Sequence, residues 1–210
     1  MLVWFSNRPI WVRLVCAIWA LLFLTWAGII YWTHIQQERS AEDQARAFAA
    51  SVHQMTMAAL TGMMITGTVA QRGVYLDQIK NSDNISELEV LRGAGVNQQF
   101  GPGSVAHRAP DAEETEVLAS GKALFRVDQA AGYLRAVIPT PASRDYLGKD
   151  CLMCHMVPEN AILGAVSMKI SLEKVNAEAQ RFVVEITMLA LLLSLPFLAV
   201  VYFFVNRAVT

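Results

Sequence analysis

Cys151-Leu152-Met153-Cys154-His155 is the stretch whose residue types and spacing most clearly point to chemistry. It reads C-x-x-C-H, the attachment signal for a c-type haem. Two thiols three positions apart can each bond one vinyl group of a porphyrin. The histidine beside the second cysteine then falls under the iron and supplies an axial imidazole. Three other readings compete. A zinc site needs further ligands, and no second Cys/His cluster stands at zinc-like spacing. A thioredoxin-type redox pair would open a helix after a strand, whereas Met156-Val157-Pro158-Glu159-Asn160 reads as loop. The third reading is a pair of free cysteines with no role.

A six-coordinate c-type iron takes a thioether or a second imidazole opposite the histidine. His53, Met57, Leu60 and Met64 recur at helical spacing and make one stripe. Met57 is the first candidate for the distal ligand, then Met64, then His53. The plainer reading is a Met-rich core or dimer seam. Haem propionates prefer guanidinium partners, and Arg126 and Arg135 lie on neighbouring candidate strands before the motif. Their ordinary reading is solvent-facing strand residues. Lys149 and Asp150 are expected to shape the loop, and His107 reads as a loop histidine rather than a catalytic base.

These residues need elements to hold them, and the chain of 210 residues supplies a membrane-like frame. Leu14 to Trp32 carries no charge. As a helix it covers about 30 Å, the thickness of a bilayer's hydrocarbon core. Trp11, Tyr31 and Trp32 mark its ends, as amphipathic rings do at membrane interfaces. A cleaved signal peptide is the rival, but the run ends in bulky residues without a small-x-small site. Cys16, inside this run, reads as packing. Ile186 to Val205 is a second uncharged run, with Pro196 in its middle as a candidate kink. Arg8, Arg13 and Arg207 place both termini on the cytoplasmic side. Covalent haem attachment, which in bacteria takes place outside the inner membrane, agrees with that orientation. A structural disulfide is not expected, because the extracytoplasmic thiols belong to the motif. With 17 basic and 18 acidic residues and no basic stripe or finger, nucleic-acid binding is not indicated.

The expected organisation is a cytoplasmic N-terminus (1–13), a first span (14–32), an outer domain (33–182), a second span (183–206) and the start of a cytoplasmic linker (207–210). Within the outer domain, residues 33–80 read as one long helix continuous with the first span, rich in helix formers between Glu38 and Ala50. Gly62 and Gly67 weaken it and permit something bulky to come close. Residues 81–182 hold the sheet and the haem loop. Leu88 to Gly93 alternates as a strand, and Gln98 to Gly103 closes with turn residues. Asp111 to Ser120 reads as a helix stopped by Gly121. Ala123–Asp128 and Tyr133–Pro139 read as a strand pair, and Ala161–Ser171 as a further strand leading into a helix from Leu172. The sum is an α+β domain, one antiparallel sheet with helices against it.

Three stretches carry a family resemblance: Ser51 to Val69; Gly132 to Pro139; and Leu147 to His155 together with Leu163 to Leu172. With the flanking spans they make most of the chain similar to the periplasmic haem-c, PAS-like sensor domains of bacterial chemoreceptors, histidine kinases and diguanylate cyclases. The resemblance implies a PAS-like antiparallel sheet with a long N-terminal helix between two transmembrane helices. It implies one covalent haem c on Cys151 and Cys154, with His155 as proximal ligand. The distal ligand would be water or a residue of the N-terminal helix, the exchange of which also implies a homodimer. Small residues Ala17, Ala20 and Gly28 would let the first spans pack closely in such a dimer. Receptors of this kind continue into a cytoplasmic output domain. Arg207 to Thr210 looks like the first turn of such a linker, so the chain is expected to be the sensory part of a receptor or a free-standing cytochrome. No kinase, cyclase or methyl-accepting segment stands in these residues. The first functional expectation is a non-enzymatic inner-membrane sensor of redox state or of a small gas ligand. The alternatives are a membrane-anchored monohaem cytochrome for electron transfer and peroxidase-type turnover.

Overall fold

The computed structural model describes residues 10–209 except 83, 102 and 104–108. Arg8 and His107 lie outside the described residues. The chain divides into two compact units. One takes the described residues of Met1–Ser40 and Val175–Thr210, the other those of Ala41–Lys174.

The first unit is helical. It contains the first part of α1 (Ile10–Ile65) and nearly all of the last helix, α5 (Glu173–Val209). Each has a stretch long and apolar enough to cross a membrane. Its side chains face outward along that stretch: Leu21 and Leu24 are 68% and 70% exposed, Leu192 and Leu195 67% and 65%. The hydroxyls in these runs turn back onto the helix. Thr25 Oγ1 donates to Leu21 O at 2.8 Å, and Thr187 Oγ1 to Val183 O at 2.7 Å. A polar group in an apolar medium needs such an internal partner. The helix α5 continues through Pro196.

The second unit is a four-stranded antiparallel sheet with helices against both faces. Its strands are β1 (Ile85–Arg92), β2 (Leu124–Asp128), β3 (Tyr133–Pro141) and β4 (Ile162–Ser171), in the order β1-β4-β3-β2. Alternation sorts the side chains. Leu134 and Ala136 on β3 and Val166, Met168 and Ile170 on β4 turn to one face. That face packs on α1, through Ala45, Ala49 and Val52, and on Leu76 of α2 (Arg72–Lys80). Of the buried positions of α1 in this unit, Ala41, Ala45, Ala49, Val52, Thr56 and Leu60 are spaced by three and four, one stripe of a helix, with buried His53 beside it. Its alanines let the helix lie close to the sheet. Each fully buried leucine, such as Leu88 or Leu134, contributes about 1.5–3 kcal/mol. On the other face, Val137, Ala165 and Leu91 pack on Val117 of α4 (Ala112–Ser120).

Helix α4 starts and stops as the sequence predicts. Asp111 caps it reciprocally with Glu114, and Gly121 ends it in the left-handed conformation at φ +67°. Two expectations are corrected. The long helix does not run to Lys80. It ends at Ile65, Gly67 turns left-handed at φ +72°, and a short 3-10 turn (Val69–Gln71) leads into α2. Residues 98–103 are not all turn: Gln98, Gln99 and Phe100 complete a seven-residue helix, α3 (Ala94–Phe100), which Gly101 ends.

Candidate haem-attachment site

The motif sits in the loop between β3 and β4, and local backbone chemistry gives that loop its shape. Its base is closed by Ala142 N donating to Ala161 O (2.8 Å) and Asn160 N to Ala142 O (2.7 Å). Tyr146 and Lys149 then exchange main-chain hydrogen bonds around Leu147 and Gly148, both at positive φ. The turn delivers Asp150, whose Oδ1 accepts from Leu152 N at 2.9 Å and caps the 3-10 turn of Cys151–Met153. Cys151 N donates to Ser143 O (2.9 Å), and His155 N donates back to Cys151 O (3.0 Å). Both motif cysteines are free thiols, Cys151 half-buried and Cys154 exposed.

Cys154 and His155 open onto a cavity of about 680 Å³, within the range of pockets that hold organic cofactors. Met57, Leu60 and Met64 line it from α1. Val90, Leu91, Leu163 and Ala165 line it from the sheet, and Phe100 from α3. Two guanidinium side chains, Arg72 and Arg92, complete the lining. Arg92 Nη1 also donates to Gly101 O at 3.0 Å. The His155 ring meets Phe100 edge-on, with centroids 5.5 Å apart. Burial pushes the His155 imidazole below its ordinary range, which favours the neutral form that binds metals. Its Nδ1 is buried without a hydrogen-bond partner.

The expected site residues thus fall into three places. Cys154, His155, Met57 and Met64 share the cavity, while Cys151 is one 3-10 turn away in the backbone. His53 does not line it. Its ring is buried, pushed down to about 4 by desolvation, and its Nε2 lies 2.6 Å from the Tyr146 hydroxyl. Arg126 and Arg135, expected near the propionates, are committed elsewhere. Arg135 is buried and paired with Asp111, Glu113 and Glu114 around the start of α4. Arg126 pairs with Glu113 at 2.9 Å, which raises its pKa. The reason is strand direction: Arg126 and Arg135 are directly paired in the β2–β3 register, and Arg135 shares its face with Val137, the face of α4. Sequence reasoning missed Arg72 and Arg92. Arg92 could have been found near the end of the predicted strand Leu88 to Gly93, as it is the last residue of β1. Arg72 depended on the unforeseen break at Gly67.

An apolar chamber with a thiol and a neutral imidazole on one wall, two thioethers on a helix and two guanidinium groups fits a haem. The Nδ1 of His155 is a buried polar atom that the protein leaves without a partner. A zinc ion finds less: among the described residues no group of three or more His, Cys, Asp or Glu side chains is arranged to hold a metal. Comparison with protein-family models, with characterised proteins and with solved structures gives no match.

Proposed function

We propose that the chain is a membrane-bound, non-enzymatic sensor module whose sheet domain, PAS-like and periplasmic, carries one covalent c-type haem. The observation that supports this most is the shared cavity, where the C-x-x-C-H residues Cys154 and His155 meet Met57 and Met64 of α1. When bound, the haem supplies an iron centre that changes oxidation state and takes small gas ligands. The thiols of Cys151 and Cys154 would hold it, each S–H adding across one vinyl group to give a thioether. His155 donates an imidazole nitrogen from the loop. Met57, or Met64 one stripe position further on, offers a thioether from the helix. Arg72 and Arg92 bring two positive charges to the same chamber, where propionates need them.

The helix that bears the methionines is also the helix with the apolar stretch. Loss or gain of a methionine bond would bias α1 between two positions, the two-state element a sensor requires. A homodimer through α1 and the membrane helices, with a cytoplasmic output partner, completes this reading. Met153 and Met156, 84% and 85% exposed on either side of Cys154 and His155, favour the alternative of an electron-transfer cytochrome. Apolar side chains beside the cofactor edge would suit a transient redox partner.

The test is an absorption spectrum of the matured chain, oxidised and reduced, with and without nitric oxide and carbon monoxide. The series is repeated on Met57→Ala and Met64→Ala. A sensor shows, in the ferric state, a methionine–iron charge-transfer band that disappears in one variant, and a ferrous haem that has lost its sixth protein ligand or exchanges it for carbon monoxide or nitric oxide. An iron that stays six-coordinate and inert to gas in both oxidation states sinks the switch and moves the cytochrome reading ahead. A chain without covalent haem sinks both.

A further inference from the structure

The short helix α3 does more than line the cavity. Its last two residues grip His155 from two sides. The Gln99 side chain reaches across the loop as a peptide would: Nε2 donates to Cys154 O at 2.9 Å, and Oε1 accepts from Met156 N at 3.0 Å. The amide orientation is fixed by its partners, one an acceptor and the other a donor. Those two bonds hold the main chain immediately before and after His155. The next residue, Phe100, sets its ring edge-on to the imidazole at an interplanar angle of 87°.

The helix itself is fixed to what it grips. Gly93 N donates to Leu163 O at 2.7 Å, and a Cβ at Gly93 would lie 2.2 Å from Ile162 O. At Gly95 a Cβ would lie 2.6 Å from Cγ1 of Val157, two residues beyond His155. Two glycines therefore allow α3 to approach both β4 and the haem loop more closely than any side chain would. Val157 N donates to His155 O at 3.0 Å, which continues the same contact.

We propose that Gln99 and Phe100 are positioning residues for His155 as an axial ligand. Gln99 fixes its backbone and Phe100 its ring plane, so that the imidazole meets the iron in one orientation without reorganisation. The proposal rests on the haem reading and adds to it the part of the chain that holds the proximal side rigid. Groups that orient a metal-binding histidine tune its affinity and the metal's potential.

The experiment uses the full chain with its haem attached, as wild type, Gln99→Ala, Gln99→Glu, Phe100→Leu and, as an exposed neighbour, Gln98→Ala. Amide exchange at Met156, reduction potential and absorption spectrum are measured on each. In Gln99→Ala the Met156 amide exchanges roughly five- to tenfold faster, as expected for one lost hydrogen bond. The potential rises, because a loosened imidazole stabilises the ferric iron less. A tenfold loss corresponds to about 59 mV for one electron. Gln99→Glu keeps an acceptor for Met156 N and so keeps its protection, but loses the donor to Cys154 O. Phe100→Leu shifts the potential with Met156 exchange unchanged, and Gln98→Ala moves nothing. Unchanged Met156 exchange in Gln99→Ala overturns the clamp. Faster exchange with potential and spectrum at wild-type values overturns the positioning role and leaves Gln99 a loop-packing residue. A wild-type chain that takes up no covalent haem overturns the haem reading, and with it any role at the iron. The Met156 comparison, which needs no haem, keeps the two failures apart.

Discussion

His53 was the third candidate for an iron ligand, and its surroundings give it a different task. Buried on α1, it ties that helix to the β3–β4 loop through Tyr146, at 2.6 Å. Removing the hydroxyl takes that hydrogen-bond partner from the buried Nε2. Tyr146→Phe is expected to lower the unfolding free energy by about 1–2 kcal/mol, read from urea denaturation. The same burial makes stability depend on pH. In the folded chain His53 takes its proton near 4, against 6.5 when unfolded. Between those values the unfolded state binds more protons. The His53 contribution is therefore complete above about pH 6.5 and declines as the pH falls toward 4, by up to about 1.4 kcal/mol per pH unit. Urea denaturation at pH 7 and pH 5 should differ by roughly 2 kcal/mol more in the wild type than in His53→Gln. Arg135 makes the opposite point about charge. Its removal strands Glu114, which is fully buried, so Arg135→Ala should cost about 3–5 kcal/mol in the same assay. Arg92→Ala, at the cavity, should leave the unfolding midpoint close to wild type and, on the proposed haem reading, change the haem potential.

At the level of elements, the break after Ile65 separates the cavity-lining turn of α1 from α2. Gly62 and Gly67 look alike in sequence and differ in conformation. A Cβ at either position meets nothing within 4 Å. Sterics being equal, the backbone decides. Gly67, at φ +72°, pays left-handed strain when substituted, so Gly67→Ala should destabilise by about 1–2 kcal/mol. Gly62, inside the helix, gains helix propensity, so Gly62→Ala should stabilise by about 0.5–1 kcal/mol. Thermal unfolding midpoints moving in opposite directions would bear this out. Midpoints moving together would show that the helix continues through Gly67, as its sequence alone predicts. The strands, by contrast, were legible as apolar runs bounded by turn residues; with helices on both faces of the sheet, β3 and β4 are buried in nearly continuous runs rather than at alternate positions. Helix α3 escaped because seven residues, with Gly93 just before them and Gly95 among them, show no helical period.

For the whole molecule, the two exposed apolar stretches in α1 and α5 are long and apolar enough to cross a membrane. Membranes washed with alkaline carbonate should retain the chain, and detergent should release it. Release by carbonate alone would mean that neither stretch spans a bilayer.

The sequence by itself determined the motif, the two apolar runs, the α+β class with its four strands, and the extent of α4 with Gly121 as its stop. All of these are written in neighbours a few residues apart, where spacing and backbone preference act directly. Which side chains meet across the cavity was decided only by the tertiary structure. Whether Arg135 or Arg92 faces the chamber depends on strand register, which a single-residue shift would invert. The pairing of Gln99 with Cys154 and Met156, 55 and 57 residues away, depends on a loop closing against a short helix. Such contacts arise from packing among distant segments, and no local pattern along the chain encodes them.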